Sequence, residues 1–441
     1  MSDAPTQSAQ STRPWLWIPT LYFAEGIPYV IVMNVSVIMY KRLDISNTDI
    51  ALYTSWLYLP WVIKPLWSPL VDLLGTKRLW VVLMQAVIAV SLAMVALSVP
   101  APRFFQYTLA FLWLMAFSSA THDIAADGFY LLGLREDQQA AFVGIRSTFY
   151  RIAMVVGEGA LVMLAGRLET HYGEVRVAWK ITLFVVAAVF AAMFVYHFFL
   201  MPRPAADVRR SRENRGSFAG EFFKVFAEFF KKEGIVVILA FLLLFRFSEA
   251  QLVKLASPFL LDAQSAGGLG LDTSQVGLLK GTFGVIALLA GGVLGGLVIS
   301  RRGLRYWLWP MVFMMNLPNV VYVYLAYAQP SNHMLIGATI SIEQFGYGFG
   351  FTAYMLFMIM VSEGKHKTAH FAICTGFMAL SMMLPGMVSG WLQEYLGYKE
   401  FFVWVMVSTI PGFIVAALVK IDPEFGKKKE EDGARISPIE D

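Results

Sequence analysis

Long apolar runs alternate with short polar breaks along the whole chain. Twelve runs stand out, at 15–40, 49–71, 79–99, 104–132, 141–168, 178–200, 235–261, 274–299, 306–328, 334–361, 369–392 and 401–420. Each is long enough to cross roughly 30 Å of hydrocarbon as an α-helix. The pattern therefore predicts an all-α membrane protein with twelve transmembrane helices and both ends on one side. Pro28, Pro60, Pro65, Pro258, Pro318, Pro385 and Pro411 fall inside the runs. They are expected to kink helices, which a transporter tolerates where neighbouring groups recover the lost hydrogen bonds.

Composition supports lipid as the solvent. The chain has 441 residues, 57% of them hydrophobic and 15% charged, whereas soluble domains carry about 25% charged residues. The single cysteine, Cys374, excludes a disulfide framework and a cysteine-based metal site. Residues 1–14 are polar and lack an apolar core followed by a small-residue cleavage pattern. The first run is therefore expected to be retained as a helix.

The basic residues choose an orientation. One set of loops carries Lys77, Arg78, Arg135, Arg301, Arg302, Arg305, Lys365 and Lys367, and the middle connection adds Arg203, Arg209, Arg210, Arg212 and Arg215. Lys427, Lys428 and Lys429 follow the last run. The opposite loops are poorer, with Lys41, Arg42, Arg103, Arg167, Arg176, Lys180 and Lys399. Positive charge stays inside, so both termini are expected in the cytoplasm.

These signals divide the chain into a cytoplasmic tail at 1–14, a six-helix bundle at 15–200, a linker at 201–234, a second six-helix bundle at 235–420 and a cytoplasmic tail at 421–441. Within the linker, Ser217–Lys232 alternates phenylalanine with charge at near-helical spacing. That segment reads as an interfacial amphipathic helix tethering two bundles, or as a regulatory or partner-binding element. The halves repeat weakly. Glu25 and Glu249 lie 224 positions apart, each in the first helix of its half. At the same offset, Leu164-Ala-Gly-Arg-Leu-Glu-Thr-His-Tyr-Gly173 parallels Val388-Ser-Gly-Trp-Leu-Gln-Glu-Tyr-Leu-Gly397. Asn47-Thr-Asp-Ile-Ala-Leu and Thr273-Ser-Gln-Val-Gly-Leu both open a second helix. Duplicated six-helix bundles are the architecture of the major facilitator fold, with a solute site between the halves near the midplane.

Charge at membrane depth costs about 2.5–3.5 kcal/mol per residue on insertion scales, so it needs a partner, water or a function. Here it is frequent. Helix 1 carries Glu25 and helix 2 carries Lys64. Helix 4 carries His122, Asp123 and Asp127, and helix 5 carries Arg146, Arg151 and Glu158. Helix 7 carries Arg246, Glu249 and Lys254, helix 8 Lys280, and helix 10 Glu343. Helices 3, 6, 9 and 12, which face lipid in this fold, carry none of these charges, as a polar path through the centre requires. Asp123 and Asp127 are four apart and share a helix face. Arg246 and Glu249 are three apart, close enough to neutralise each other, and Arg151 and Glu158 lie two turns apart on one face. Carboxylic acids in low dielectric take up protons readily, which makes Asp123, Asp127, Glu25, Glu158 and Glu343 candidates for proton coupling. Arg146, Arg151, Arg246, Lys64 and Lys280 could hold a carboxylate or phosphate on a solute. Tyr29, Trp67 and Tyr150 stand near charged positions and could contact a sugar ring. The bland alternative is that acids and bases pair with each other and only hold the bundle together. Asp72-Leu-Leu-Gly75-Thr-Lys77-Arg78 reads as a gating loop, with a carboxylate at a helix end contacting the neighbouring half.

On these motifs the sequence resembles the AmpG-type muropeptide permeases, a branch of the major facilitator superfamily shared with acetyl-CoA transporters. The resemblance runs nearly end to end. It rests on Phe23-Ala-Glu-Gly26-Ile-Pro28, Lys64-Pro-Leu-Trp67-Ser68-Pro69-Leu-Val-Asp72, Asp123-Ile-Ala-Ala-Asp127, Tyr150-Arg151-Ile-Ala-Met154, Leu244-Phe-Arg246, Lys280, and Glu343-Gln344 with Gly348, Gly350, Ala353 and Tyr354. His122, Glu25, Glu158 and Glu249 depart from that pattern. The resemblance implies a proton-coupled importer of the bacterial inner membrane, carrying a cell-wall fragment of N-acetylglucosamine and anhydro-N-acetylmuramic acid. Asp123 and Asp127 would pass the proton, Arg151 and Arg246 would hold the solute, and Glu343 would close the cavity. Glu249 and Gln344 join the implied binding set. No nucleotide-binding motif is present. No cofactor, metal ion, nucleic acid or catalytic residue is expected, and the partners are solute, protons and lipid around a monomer. Three other readings are a carrier of another solute, such as an acyl-CoA, sugar or siderophore, a membrane transferase using His122 with Asp123, and a non-transporting sensor.

Overall fold

A computed structural model describes residues 13–208 and 215–427. The charges expected at Arg209, Arg210, Arg212, Lys428 and Lys429 lie outside the described residues, as does the side chain of Asp72. Eleven of the described helices are long and apolar enough to cross a membrane: α1 (Pro14–Arg42), α3 (Lys77–Ser98), α4 (Phe104–Gly133), α5 (Asp137–Tyr172), α6 (Val175–Leu200), α7 (Ile235–Leu261), α8 (Thr273–Arg302), α9 (Leu304–Ala328), α10 (His333–Ser362), α11 (Lys367–Leu396) and α12 (Tyr398–Leu418). The twelfth crossing, α2, is in two pieces, Asn47–Trp56 and Leu59–Leu74. Pro60 explains the interruption, because its ring collides with the carbonyl of Trp56 and it has no N–H to donate.

Local sequence sets the starts of the repeated second helices. The Ser46 side chain accepts from the Asp49 N–H at the start of α2, and the Asp272 side chain accepts from the Gln275 N–H at the start of α8. These are equivalent caps in the two halves, and each satisfies a backbone donor that the helix leaves free. Wide turns of π type interrupt α1 at Ile31–Val35, α5 at Val156–Leu161 and α8 at Gly277–Gly284. Such turns gather at functional sites, and here two of them face each other where α5 meets α8.

The halves touch mainly along α2 with α11 and along α5 with α8. One end of that seam is closed. Lys41 bridges Asp262 at 2.7 Å, and Tyr398 donates to the same carboxylate at 2.6 Å. Asn47 donates to Gln393 at 2.6 Å and to Tyr398 at 2.9 Å. Glu394 accepts from the Thr48 hydroxyl at 2.5 Å, and Glu169 accepts from Arg42 at 3.1 Å and Thr273 at 2.7 Å. Backbone packing there is tight: a Cβ on Gly390 would lie 2.0 Å from the Asn47 carbonyl oxygen.

The other end carries the linker. Asp207 accepts from the Lys77 N–H at 2.7 Å and the Arg78 N–H at 2.9 Å. The linker helix Arg215–Phe230 lies against α11. Phe229 is fully buried beside His370, and Lys232 donates to the Val361 carbonyl at 2.6 Å. The linker helix thus docks on the second bundle at this end.

Candidate functional site: a charged cavity between the halves

A cavity of about 550 Å³ lies between the bundles and runs toward the linker side, where Lys77, Leu131 and Thr368 line it. Its first-half wall is polar: Glu25 and Tyr29 from α1, Lys64 from α2, Asp123 and Asp127 from α4, and Tyr150 from α5. Its second-half wall is mostly apolar and comes from α11, with Phe371, Met378 and Met382, plus one cation, Arg246.

Helical spacing brings Asp123 and Asp127 to one face, as read from the sequence, and α1 brings Glu25 to the same place. One carboxylate oxygen from each lies within 4.8 Å of the other two. Two cations answer them. Lys64 is hydrogen-bonded to Asp123. Arg146 donates to Asp127 at 2.7 Å and lies over the rings of Tyr22 and Tyr130. Tyr22 donates to Asp127 at 3.3 Å. Glu25 is left over: it is nine-tenths buried, and its Oε2 has no hydrogen-bond partner among the described residues. A cluster of three acids and two bases is one positive charge short of neutral. A metal ion would compete with Lys64 and Arg146 for the same oxygens, whereas a single proton completes the balance without displacing either.

A second charged group lies behind the cavity. Glu158 on α5 accepts from Asn34 and bridges Lys280 on α8 across the halves at 3.4 Å. Glu249 and Glu343 are each 1% exposed. Glu343 accepts from Gln344 at 2.9 Å, and neither oxygen of Glu249 has a partner among the described residues. Glu158, Glu249, Lys280, Glu343 and Gln344 do not line the cavity.

Three sequence expectations change here. Arg246 and Glu249 do not pair: Arg246 is hydrogen-bonded to Tyr347 and lies 4.8 Å over Phe351. The three-residue relation requires a continuous helix, and α7 breaks at Phe245–Arg246, with Arg246 at φ −105°. Arg151 and Glu158 do not line the cavity: both lie against α8, Arg151 beside Gly292 and Glu158 beside Lys280. Arg151 stays half-buried outside the cavity lining. Trp67 packs against Phe117 with ring centroids 5.6 Å apart and planes tilted by 42°, and is likewise outside the lining. In the loop after α2, Arg78 binds the Met201 carbonyl at 3.2 Å. Its contacts and those of the Lys77 and Arg78 amides lie in the first half and the linker.

Lys254 and His122, both noted in the sequence, do not line the cavity. Lys254, 2% exposed, donates to Thr54 on α2 at 2.8 Å and helps close the seam above the cavity. His122 turns away from the acids. It meets Gln85 at 3.0 Å, Gln85 meets His197 at 2.9 Å, and His197 meets Thr20 at 2.9 Å, a buried chain through α4, α3, α6 and α1. The closing cluster at Lys41, Asn47, Asp262 and Tyr398 had one sequence signal, the matching helix starts at Asn47 and Thr273. The apolar α11 wall had none, because methionine and phenylalanine read alike in a wall and in a lipid face.

Comparison with known proteins agrees with this arrangement. The chain is 26% identical over 409 residues to a Rickettsia felis protein named as transporter AmpG 4, covering 90% of this chain and 94% of that one. It is 23% identical over 412 residues to the anhydromuropeptide permease of Escherichia coli, covering 92% and 79%. Its fold matches the crystal structure of a D-xylose–proton symporter with a TM-score of 0.69 at 10% identity, covering 94% and 99%. The sequence profile of the Major Facilitator Superfamily matches residues 20–363, and with twelve crossings around a central charged cavity the chain belongs to that superfamily as a multi-pass membrane transporter.

Proposed function

We propose that the chain is a proton-coupled importer of a muropeptide or related amino-sugar solute in the bacterial inner membrane, with both termini cytoplasmic. The observation that carries this reading is the cluster of three carboxylates and two cations in the wall of a cavity between the bundles. Relatives named as AmpG transporters and as an anhydromuropeptide permease supply the solute class. The basic side of the membrane is then the linker side, and the cavity is open inward with its outer end sealed by the Lys41–Asp262 group.

Alternating access follows from that geometry. Solute enters from outside when the outer seam opens. Its carboxylates meet Arg246 and Lys64, its sugar ring meets Tyr29 and Tyr150, and its apolar parts meet the α11 wall. Glu25 receives the proton, while Asp123 and Asp127 pass it along the face of α4. Closing the seam at α2–α11 and α5–α8 turns the loaded cavity inward. His122 bonds to Gln85 away from the cavity, which argues against a transferase using His122 as a base beside Asp123.

Uptake of labelled N-acetylglucosamine–anhydro-N-acetylmuramic acid into proteoliposomes tests the reading. Accumulation is expected when an inward proton gradient is imposed. No response to the gradient removes the coupling, and uptake only of unrelated sugars or acyl-CoA removes the solute. Arg246→Gln deletes a charged hydrogen-bonding group worth about 1.5–3 kcal/mol. The half-saturation concentration should rise about 10- to 100-fold for a carboxylate-bearing solute and hardly change for a neutral disaccharide analogue. Equal changes for both solutes would show that Arg246 does not meet the carboxylate.

A further inference from the structure

Arg305, Leu308 and Trp309 at the start of α9, with Ala416, Ala417, Val419, Lys420 and Ile421 at the end of α12, enclose a groove of about 470 Å³ on the outside of the second bundle. We propose that this groove binds one anionic phospholipid of the linker-side leaflet, its phosphate between Arg305 and Lys420 and an acyl chain along the α9–α12 seam.

The depth is right for a headgroup. Helix α9 begins at Leu304 and α12 ends at Leu418, so the two cations sit where the spans leave the hydrocarbon. The charge is right as well. No acidic partner is recorded for Arg305 among the described residues, and Lys420 has only Glu233 at 3.9 Å, with both side chains 95% exposed. Of the two acids in the adjoining segment, Asp422 accepts from the Glu424 N–H at 2.9 Å and Glu424 is bridged by Lys427 at 2.6 Å. Basic pockets between transmembrane helices on this side of a membrane suit anionic headgroups.

The floor is right for a chain. Ala416 and Ala417 leave space that larger side chains would fill. Below them, an exposed apolar track continues through Phe313, Ile414 and Ile410. Trp309 stands at the rim, 6.2 Å from Phe313, and tryptophan favours this interfacial depth.

The test uses full-length protein in neutral detergent, titrated with phosphatidylglycerol or phosphatidylcholine and read by native mass spectrometry and thermal midpoint. Phosphatidylglycerol should bind more tightly. Arg305→Ala with Lys420→Ala should weaken it about 25-fold, about fivefold for each cation, while leaving phosphatidylcholine binding and the lipid-free midpoint unchanged. Lys365→Ala with Lys367→Ala removes equal charge from the same side away from the groove and should have little effect. Three results would overturn the proposal: an unchanged preference in the groove variant, an equal loss in the control variant, or inorganic phosphate alone reproducing the midpoint shift.

Discussion

Glu25→Gln is expected to abolish solute accumulation while leaving exchange of solute across the membrane intact. The substitution keeps the shape of the side chain and removes its ability to gain and lose a proton. Asp123 and Asp127 each keep a cation, Lys64 and Arg146, so the cavity stays assembled. One proton moving down 100 mV supplies about 2.3 kcal/mol, which supports roughly a 50-fold accumulation ratio at 1.4 kcal/mol per tenfold. In the variant that ratio should fall to about one, with counterflow of preloaded solute near the wild-type rate. Asp123→Asn behaves differently, because it strands Lys64 without its partner and should impair binding and exchange together. Undiminished accumulation by Glu25→Gln would end the role assigned to this residue.

Gly281→Leu is expected to stop transport with the halves unable to close at their outer end. A Cβ at this position would lie 1.9 Å from the carbonyl oxygen of Glu158 and 2.8 Å from the Gly159 nitrogen. Both are backbone atoms of α5, so no side-chain rotation relieves the clash. Packing within each bundle does not depend on that contact, so the protein should still insert and purify. Uptake should fall at least about 100-fold, since the inward-open state requires this approach and a clash of that size exceeds the few kcal/mol that separate conformers. Spin labels at positions 48 and 394, whose side chains bond at 2.5 Å here, should report a longer distance than in the parent protein. Normal uptake, or an unchanged distance, would show that the α5–α8 contact does not control closure.

The fold was largely readable because a membrane leaves few options. Without water, a spanning segment must satisfy its own backbone, so long apolar runs become helices. The twelve runs correspond to the eleven long apolar helices and the two-piece α2. Part of the site was readable for a similar reason: Asp123 and Asp127 are costly at that depth, and their spacing fixes a common face. Distortions away from proline were not readable. The pairing of Arg246 with Glu249 assumed 3.6 residues per turn through the place where α7 breaks. No proline marks that place, so local sequence carries little trace of it. The outer closure was hidden for another reason. Lys41, Asn47, Asp262 and Tyr398 come from four helices, and only the assembled bundles bring them together.

The two walls of the cavity differ in a way that bears on how such a carrier can diverge. Acids, tyrosines and Lys64 come from the first bundle, whereas α11 offers Phe371, Met378 and Met382. Methionine adapts to many shapes because its chain is unbranched and polarizable. Cargo preference could therefore drift through changes on α11 while the acids on α1 and α4 stay fixed. Carriers of different solutes could arise from one ancestor by remodelling a single helix.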